Sequence, residues 1–576
     1  MKKYTILPLL LFPLITACNN STLQDEEEDD TSASISYSAD TACYSLSPSI
    51  TELTITGLTE GQEVYLIKTN PTSSALSSSY AQYVSSASGI QLSDAESNES
   101  TTTSSPPQMP GGGMRSFIPN QSFNKYAKLD LSTTEISSAR SVSAVGTTVT
   151  QLSHETGITK ELYIDKDTDI STFEKQSATL YYAGDYCNVW IIDDYYSDTD
   201  TDDKVSSSLA ESIGKKFDSI YTLVREIFGD ESNNIYYYYS GSSFTTAQMD
   251  YLSDTGTYVN IVLYDIASDS STNSTGIVGY FYAKDYYPDE TDIETISGYN
   301  YTTGDARIYS NEGKYFYVDS YYANNYLNTV YSTLSHEFQH MIDFAQKTIN
   351  NNLSSSTNYN EMLSMLGEDL IQGYLEIDND SSPISRLPMF DRGYRYVGLE
   401  YNSNSTYYTL LSYSNNYAFG AWLMRKFGGK SLVKEISTNS YTDISSIICA
   451  INSINGTSYS INDILALYAQ SCLYESSAYT MNKESNYTLG DVSYTLQGID
   501  LWNLDDMLSS DFSSTYSSST YYKYDGCKLY GYNACYDIRP YGMTLVDIGT
   551  ASSDTAVIYM GNSSASLSQE LYIVIE

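Results

Sequence analysis

The chain has 576 residues, enough for about three or four domains of ordinary size. Its net charge of −42 repels the phosphates of nucleic acids and anionic lipid headgroups, which makes both poor candidate partners. Hydrophobic residues make up 41% of the chain and supply enough apolar surface for folded cores, so a wholly disordered protein is excluded.

An export signal is predicted for residues 1–17. Two lysines follow Met1, and residues 6–15 form an apolar run that is too short to span a membrane stably. The signal ends in Ile-Thr-Ala before Cys18, which resembles the lipobox of bacterial lipoproteins. This resemblance implies acyl chains on Cys18 and a protein anchored in the bacterial cell envelope, in the periplasm or exposed at the surface. The alternative is ordinary signal cleavage beside an incidental cysteine.

A flexible tether and a β module are predicted next. Residues 18–40 are acidic and polar, which is typical of a tether. Residues 41–192 predict an N-terminal β module, because strand-like runs separated by Gly and Asp turns recur there, at 64–67, 178–182 and 189–192. An insert at about 85–125 carries Ser/Thr runs, adjacent prolines and adjacent glycines, which favours a disordered loop. The six cysteines after Cys18 permit disulfides in an exported chain.

The central segment, 193–482, has the pattern of an α+β domain. An acidic stretch at 198–203 is interpreted as a solvated linker, because it lacks the Gly and Glu positions of a calcium-binding EF-hand loop. Apolar residues then recur at helical spacing from Leu209 to Ile227, and Gly229 is the expected stop. Strands and a further helix are predicted at 258–266, 276–282, 314–319 and about 321–348. The last segment, 483–576, returns to strand patterns and predicts a second β module.

The most informative motif lies in the helix at 321–348. Residues 336–340 read His-Glu-Phe-Gln-His and use two of the only three histidines in the chain. A helix places residues four apart on one face, so His336 and His340 can bind one metal ion together, with Glu337 beside them. This is the HExxH arrangement of zinc hydrolases, in which the glutamate acts on a water molecule. The sequence therefore predicts a metal site on this helix.

A third ligand is needed, because catalytic zinc usually takes three protein ligands. The remaining histidine, His154, lies in a Ser/Thr-rich segment and is interpreted as a loop residue, so a carboxylate is expected. Glu361 is the best candidate, since it opens an amphipathic helical stretch that follows the motif helix after an Asn/Ser-rich loop. Glu368 on the same stretch is the alternative ligand.

At this point the sequence resembles a known family. Residues 335–342 together with 360–364 (Asn-Glu-Met-Leu-Ser) resemble the hyicolysin-type metallopeptidases, which belong to the thermolysin-like gluzincins. The resemblance is strongest over about 320–375. It implies a thermolysin-like α+β domain with one Zn²⁺ ion held by His336, His340 and Glu361, and with Glu337 as the catalytic carboxylate.

One position departs from the family pattern. Thermolysin has an Asp four residues after its Glu ligand, which orients a ligand His, whereas this chain has Met365. The orienting role must then fall to another carboxylate, with Asp343 and Glu368 as candidates. The resemblance also implies that the strand at 315–318 is an edge strand, which would pair with an extended peptide substrate.

The oxyanion formed in peptide hydrolysis needs a hydrogen-bond donor besides zinc. Tyr417 is predicted for this role, with Tyr413 and Tyr374 as further candidates. The sequence therefore predicts a multidomain, lipid-anchored zinc endopeptidase that acts on proteins or peptides, with sandwich-like β-rich modules flanking an α+β thermolysin-like domain. The alternative is a non-catalytic surface adhesion or binding lipoprotein whose metal site is structural or degenerate. A role of the front module as an inhibitory pro-segment is left open.

Overall fold

The computed structural model of the chain describes residues 31–39, 42–95, 115–116, 154–165, 173–239, 243–248, 258–268, 277–286, 291–292, 307–351, 353–400, 406–474, 486–504 and 527–576. The predicted signal at 1–17, Cys18 and most of the predicted insert lie outside these residues. Within the described part of the chain, no helix is long and apolar enough to cross a bilayer. Among the described residues, the six cysteines that follow Cys18 form no disulfide.

Strands and helices, numbered along the chain, divide between two compact units. The first unit comprises the described residues within 1–104, 460–480 and 528–576, and the second those within 105–459 and 481–527. The first unit contains β1 (Ser32–Ser36), β2 (Cys43–Leu46), β3 (Glu52–Thr56), β4 (Glu63–Thr69), β5 (Val84–Ser88), β6 (Ile90–Leu92), α9 (Ile461–Ser471), β20 (Met543–Ala551), β21 (Thr555–Met560) and β22 (Glu570–Ile575).

The strands of the second unit are β7 (Arg115–Ser116), β8 (Thr159–Asp165), β9 (Phe173–Ala183), β10 (Cys187–Ile192), β11 (Asn234–Tyr239), β12 (Ser243–Gln248), β13 (Val259–Tyr264), β14 (Ile277–Phe281), β15 (Thr291–Asp292), β16 (Arg307–Ile308), β17 (Tyr315–Asp319), β18 (Asn486–Leu489) and β19 (Val492–Thr495). Its helices are α1 (Ser207–Phe228), α2 (Ser320–Asn325), α3 (Leu327–Asp343), α4 (Thr357–Leu375), α5 (Leu387–Gly393), α6 (Thr406–Phe427), α7 (Gly429–Thr438) and α8 (Asp443–Asn455). The chain is thus multidomain and mixes helices with sheets.

The first unit is built from strands near both ends of the chain. Its two sheets have the strand orders β2-β22-β4-β20-β6 and β1-β3-β21-β5. Strand β4 pairs antiparallel with β20 on one side and with β22 on the other. Burial alternates along β3, where Leu53 and Ile55 are fully buried, so the four-stranded sheet covers a core with one of its faces.

This arrangement differs from the predicted domain boundaries. Strands expected in separate modules at 41–192 and 483–576 share the sheets of one unit, whereas β8, β9 and β10 belong to the other unit. Part of the predicted tether at 18–40 is also folded, because β1 pairs in parallel with β3. The start of the predicted disordered insert holds β5 and β6. Apolar alternation identifies strands, but it carries no information on partners that lie far apart along the chain.

The second unit is organised on a seven-stranded sheet of order β7-β14-β17-β13-β10-β9-β8. Strands β10, β13 and β17 are parallel neighbours, and all their residues are buried, as expected of strands covered on both faces. Helix α1 packs against β9 and β10 and ends at Gly229, whose φ of 98° favours glycine. The predicted helix from Leu209 and its stop at Gly229 are confirmed.

Strand β17 leads through α2 into the motif helix α3, but it is not an edge strand. It pairs with β13 on one side and with β14 on the other, and β14 pairs in turn with β7. The edge position that the resemblance implied for residues 315–318 is therefore wrong. The residues of a fully buried strand do not show whether it has one neighbouring strand or two, because side-chain composition reports burial and not backbone pairing.

Helices α3, α4 and α6 pack in succession and carry the residues of interest. Apolar spacing predicts that the motif helix packs through Leu327, Val330, Leu334, Phe338 and Met341, with Ile342 alongside. All of these side chains are buried except Leu327, which is half-buried. Beyond Asp343, this helix continues as a π-helix over Phe344–Ile349. Arg425 of α6 donates to both carboxylate oxygens of Asp369 on α4, at 2.7 and 3.0 Å, and both side chains are buried. Such a two-point ion pair fixes the position of α4 against α6.

Candidate metal centre

Three side chains from α3 and α4 converge on one point. Glu361 lies with one carboxylate oxygen 3.2 Å from Nε2 of His336 and the other 3.4 Å from Nε2 of His340. All three residues are buried, and their potential ligand atoms lie within 4.8 Å of one another. Two atoms that are each about 2.0–2.1 Å from a tetrahedral ion lie about 3.3 Å apart. The observed separations therefore match those of ligands around a single zinc ion.

The hydrogen bonding of these atoms also fits a metal. Among the described residues, Nε2 of His340 and both oxygens of Glu361 have no hydrogen-bond partner, although they are buried. Nearly all buried polar groups in proteins are hydrogen-bonded, and an orphaned cluster needs an explanation. Two imidazoles and one carboxylate directed at a common point form a ligand set of catalytic zinc sites. The residues present thus fit the ion that the sequence predicts.

The convergence follows from the spacing of residues on two antiparallel helices. His340 near the end of α3 meets Ser364 near the start of α4, and His336, one turn earlier, meets Glu368, one turn later. Positions 361, 364 and 368 share one face of α4, just as 336 and 340 share one face of α3. Helix α4 begins at the N-cap Ser356, whose side chain accepts from the backbone N–H of Tyr359.

Each imidazole is also held at its other ring nitrogen. With Nε2 facing the cluster, Nδ1 of His336 carries the proton and donates to Oε1 of Glu368 at 2.7 Å. Ser332 donates to Oε2 of the same carboxylate at 2.5 Å. Nδ1 of His340 lies 3.1 Å from the hydroxyl oxygen of Ser364. The same hydroxyl donates its proton to the side-chain oxygen of Gln339, so it is left to accept from His340. Such partners fix the orientation of metal-ligating histidines.

Of the two carboxylates proposed to orient a ligand, the structure brings Glu368 to His336. The carboxyl of Asp343 is buried, which raises its pKa, and the nearby Ser355, Lys347 and His340 oppose that shift. The sequence interpretation did not single out Ser332, Ser364 or Gln339. Helical spacing could have indicated the two serines, because Ser332 lies one turn before His336 and Ser364 three residues after Glu361.

Charges within the cluster shift the pKa values of its members. Burial alone would lower the pKa of His336, but the nearby carboxylates of Glu361 and Glu368 raise it to about 10. Burial alone would raise the pKa of Glu361, but the two histidines, His336 first, lower it to about 2. Without a metal, the cluster is therefore an ion pair between an imidazolium and a carboxylate, and a divalent cation would take the place of that imidazolium proton.

Glu337 lies beside the cluster and is fully buried. Within the described part of the chain, neither of its carboxylate oxygens accepts a well-formed hydrogen bond, although the backbone N–H of Phe281 is near enough to lower its pKa. Burial raises its pKa to about 7, partly opposed by the charges of the two histidines. Strand β14 passes close to its side chain at Gly279, where an added Cβ would lie 3.6 Å from Cγ of Glu337 and only 2.7 Å from the carbonyl oxygen of Tyr317. A side chain at position 279 would therefore collide with β17.

The structure does not bring Tyr417 to the cluster. Its ring is buried, and its hydroxyl donates to Oδ2 of Asp369 at 3.1 Å, within the ion pair with Arg425. Tyr413 lies under the guanidinium of Arg386, and the ring of Tyr374 packs against Tyr494. Each of the three tyrosines therefore has a structural role that the sequence could not distinguish from catalysis.

Tyr417→Phe separates these two roles. Asp369 keeps its two bonds from Arg425, so we expect a loss of about 1 kcal/mol of stability, as for one ordinary hydrogen bond. We expect kcat for peptide hydrolysis to stay within about twofold of wild type, because the hydroxyl already has a structural acceptor. Urea unfolding and steady-state kinetics on one preparation measure both. A large fall in kcat with unchanged stability would restore the predicted oxyanion role.

Comparisons with known proteins agree with this geometry at a coarse level. No family model matches the chain. A stretch of 183 residues is 32% identical to the neutral metalloprotease ShpI of Staphylococcus hyicus and covers 31% of this chain and 31% of that protein. The chain therefore spans about a third of the length of the curated relative that it matches. This similarity supports a metalloprotease, which is also what the three converging ligands indicate.

Proposed function

We propose that the chain is a zinc-dependent endopeptidase that hydrolyses peptide bonds in proteins or peptides. The proposal rests on His336, His340 and Glu361, whose facing atoms have the spacing of tetrahedral zinc ligands and, for His340 and Glu361, no other partner among the described residues. The partial similarity to a neutral metalloprotease supports the same reaction class. A thermolysin-like arrangement is proposed for the second unit, because a helix after the HExxH helix supplies the third ligand.

Zinc, when bound, supplies Lewis-acid chemistry that polarises a carbonyl oxygen and acidifies a water molecule. His336, His340 and Glu361 would hold the ion, and Glu368 and Ser364 would keep the two imidazole rings in place. Glu337 would take a proton from the attacking water and later deliver it to the leaving amine nitrogen. In the metal-free protein, burial raises the pKa of Glu337 to about 7, and a carboxyl with a raised pKa is suited to exchange protons near neutral pH.

Glu337 also argues for catalysis rather than for a structural metal. A buried carboxylate without a hydrogen bond is unfavourable, and a metal that only holds two helices together has no use for it. A general base, in contrast, must keep its oxygens available to water and substrate. The alternative of a non-catalytic adhesion protein leaves this feature without a role.

Metal removal tests the proposed function. Purified protein should cleave casein at internal bonds, lose this activity after dialysis against a chelator, and recover it on addition of one equivalent of Zn²⁺. Mass spectrometry of the fragments distinguishes internal cleavage from trimming of the ends. Continued cleavage by protein that elemental analysis shows to be free of metal would contradict the proposal.

We also propose that the mature protein is exported and lipid-anchored through Cys18. The support is the short apolar signal followed by Ile-Thr-Ala-Cys in the sequence. A membrane attachment of this kind needs no spanning helix, because acyl chains bury many methylene groups in the bilayer. Incorporation of labelled fatty acid into the full-length chain in a bacterial host is the direct test, and an unlabelled protein in the soluble fraction would refute it.

A further inference from the structure

Glu368 contacts His336 in the site, although it lies outside the segments 335–342 and 360–364 that carry the family resemblance. The carboxylate of Glu368 accepts from Nδ1 of His336 at 2.7 Å and from the hydroxyl of Ser332 at 2.5 Å. Glu368 lies seven residues after Glu361, which is two turns along the same face of α4. The position one turn after Glu361 is occupied by Met365, which is buried and carries no charge.

We propose that Glu368 is the positioning residue of this metal site and takes over the task of the acid that is missing at Met365. The inference rests on the proposed zinc-binding function. A carboxylate that accepts from Nδ1 holds the imidazole in the tautomer that leaves Nε2 free to bind a metal. It also raises the basicity of the ring, so that Nε2 donates its electron pair to the metal more strongly. Helix geometry permits the relocation, because positions four and seven residues after Glu361 both face α3.

The contacts distinguish this role from that of a ligand. Nδ1 and Nε2 lie on opposite edges of the imidazole ring, and Nε2 of His336 faces Glu361. A carboxylate bonded to Nδ1 is therefore on the far side of the ring from the point where the ligand atoms converge. Both oxygens of Glu368 are already engaged, one by His336 and one by Ser332. Glu368 is thus placed to orient a ligand and not to replace Glu361.

The second histidine has a weaker partner. Nδ1 of His340 lies 3.1 Å from the neutral hydroxyl of Ser364, where His336 has a carboxylate at the same ring position. Hydrogen bonds to a charged acceptor are shorter and about twice as strong as neutral ones. The two imidazoles are therefore oriented unequally, and loss of Glu368 should weaken metal binding more than loss of the Ser364 hydroxyl.

Zinc affinity of the full-length, metal-free protein tests the inference without reference to activity. Competition with a chromophoric chelator gives the Kd of wild type, Glu368→Ala, Glu368→Gln and Ser364→Ala. Loss of a partner of this kind typically costs 10- to 100-fold in metal affinity. We expect Glu368→Ala to raise Kd by about 100-fold and Glu368→Gln by about tenfold, because the amide keeps an acceptor oxygen but no charge. Ser364→Ala should raise it by less.

Controls separate positioning from folding and from ligation. Glu376→Gln makes the same chemical change at an exposed site next to α4 and should leave Kd unchanged. Thermal unfolding of each metal-free variant shows whether the fold is intact, and Glu368→Gln keeps the test available if the alanine variant is unstable. Absorption spectra of the Co²⁺-loaded proteins report the ligand set, which Glu368→Gln should preserve.

The possible outcomes are distinct. A Kd of folded Glu368→Ala within about twofold of wild type would overturn the positioning role, although the proposed zinc site could stand. A changed Co²⁺ spectrum in Glu368→Gln would overturn it in favour of direct ligation. Failure of wild type to bind zinc at all would instead refute the proposed function on which the inference rests.

Discussion

Glu337→Gln should lower the rate of casein hydrolysis by about 10²- to 10⁴-fold, the usual contribution of a positioned acid–base group. The amide is nearly the same size as the carboxylate but cannot accept the proton of the attacking water. Glu337 lies beside the ligand cluster without a well-formed hydrogen bond from the described residues, so the substitution disturbs at most its weak interaction with the backbone of Phe281. The expected loss is therefore in kcat, with the zinc Kd close to that of wild type.

The measurement pairs kinetics with metal analysis on the same sample. Glu376→Gln at its exposed site is the matched control and should retain wild-type kinetics. Because burial raises the pKa of Glu337, replacing its carboxyl by a neutral amide should not destabilise the fold. If Glu337→Gln binds zinc and still cleaves casein at a rate near that of wild type, Glu337 is not the general base.

Local features of the site were predictable because the information for them lies within a few turns of helix. The spacing of His336 and His340 requires one face of one helix, and the structure has that helix as α3. The stripe that buries α3 and the start of α4 also follow from spacing and from a capping serine. None of these features depends on where the two helices cross.

The choice between Glu361 and Glu368 did depend on that crossing. Both residues are glutamates on the same face of α4, so neither residue type nor helical spacing distinguishes the ligand from its alternative. The crossing point sets Glu361 against both Nε2 atoms and Glu368 against Nδ1 of His336. Tyr417 illustrates the same limit. Its role depends on the hydrogen bond from its hydroxyl to Asp369, and the sequence does not show that these two residues are in contact. Sequence reasoning therefore indicates the candidates, and tertiary packing assigns their roles.

The fold shows the same division on a larger scale. Apolar patterns predict strands at 64–67, 189–192 and 314–319, and these segments lie in β4, β10 and β17. Their neighbours were not predictable, because β4 pairs with strands from the far end of the chain and β17 has partners on both sides. Strand β1 lies within the predicted tether, because its few apolar side chains give no strand pattern. Its hydrogen bonds to β3 are made by the backbone, which composition does not report.

Glu361→Ala should weaken zinc binding by more than the roughly 100-fold expected for Glu368→Ala, because it removes one of three ligands and not the partner of a ligand. The carboxylate oxygens of Glu361 lie 3.2 Å from Nε2 of His336 and 3.4 Å from Nε2 of His340, so the substitution leaves only the two imidazoles to bind the ion. The same chelator competition measures the effect, and hydrolysis should fall in proportion to the metal lost.

The comparison of the two glutamates decides the ligand assignment. In the metal-free protein, the charge of Glu361 is a main cause of the raised pKa of His336, so Glu361→Ala should also lower that pKa from about 10 towards the ordinary imidazole value. Titration of the imidazole by NMR detects this change in protein that holds no zinc. Full zinc retention in Glu361→Ala together with loss of zinc in Glu368→Ala would reverse the assignment, because the ion would then depend on the carboxylate at Nδ1 and not on the one between the two Nε2 atoms.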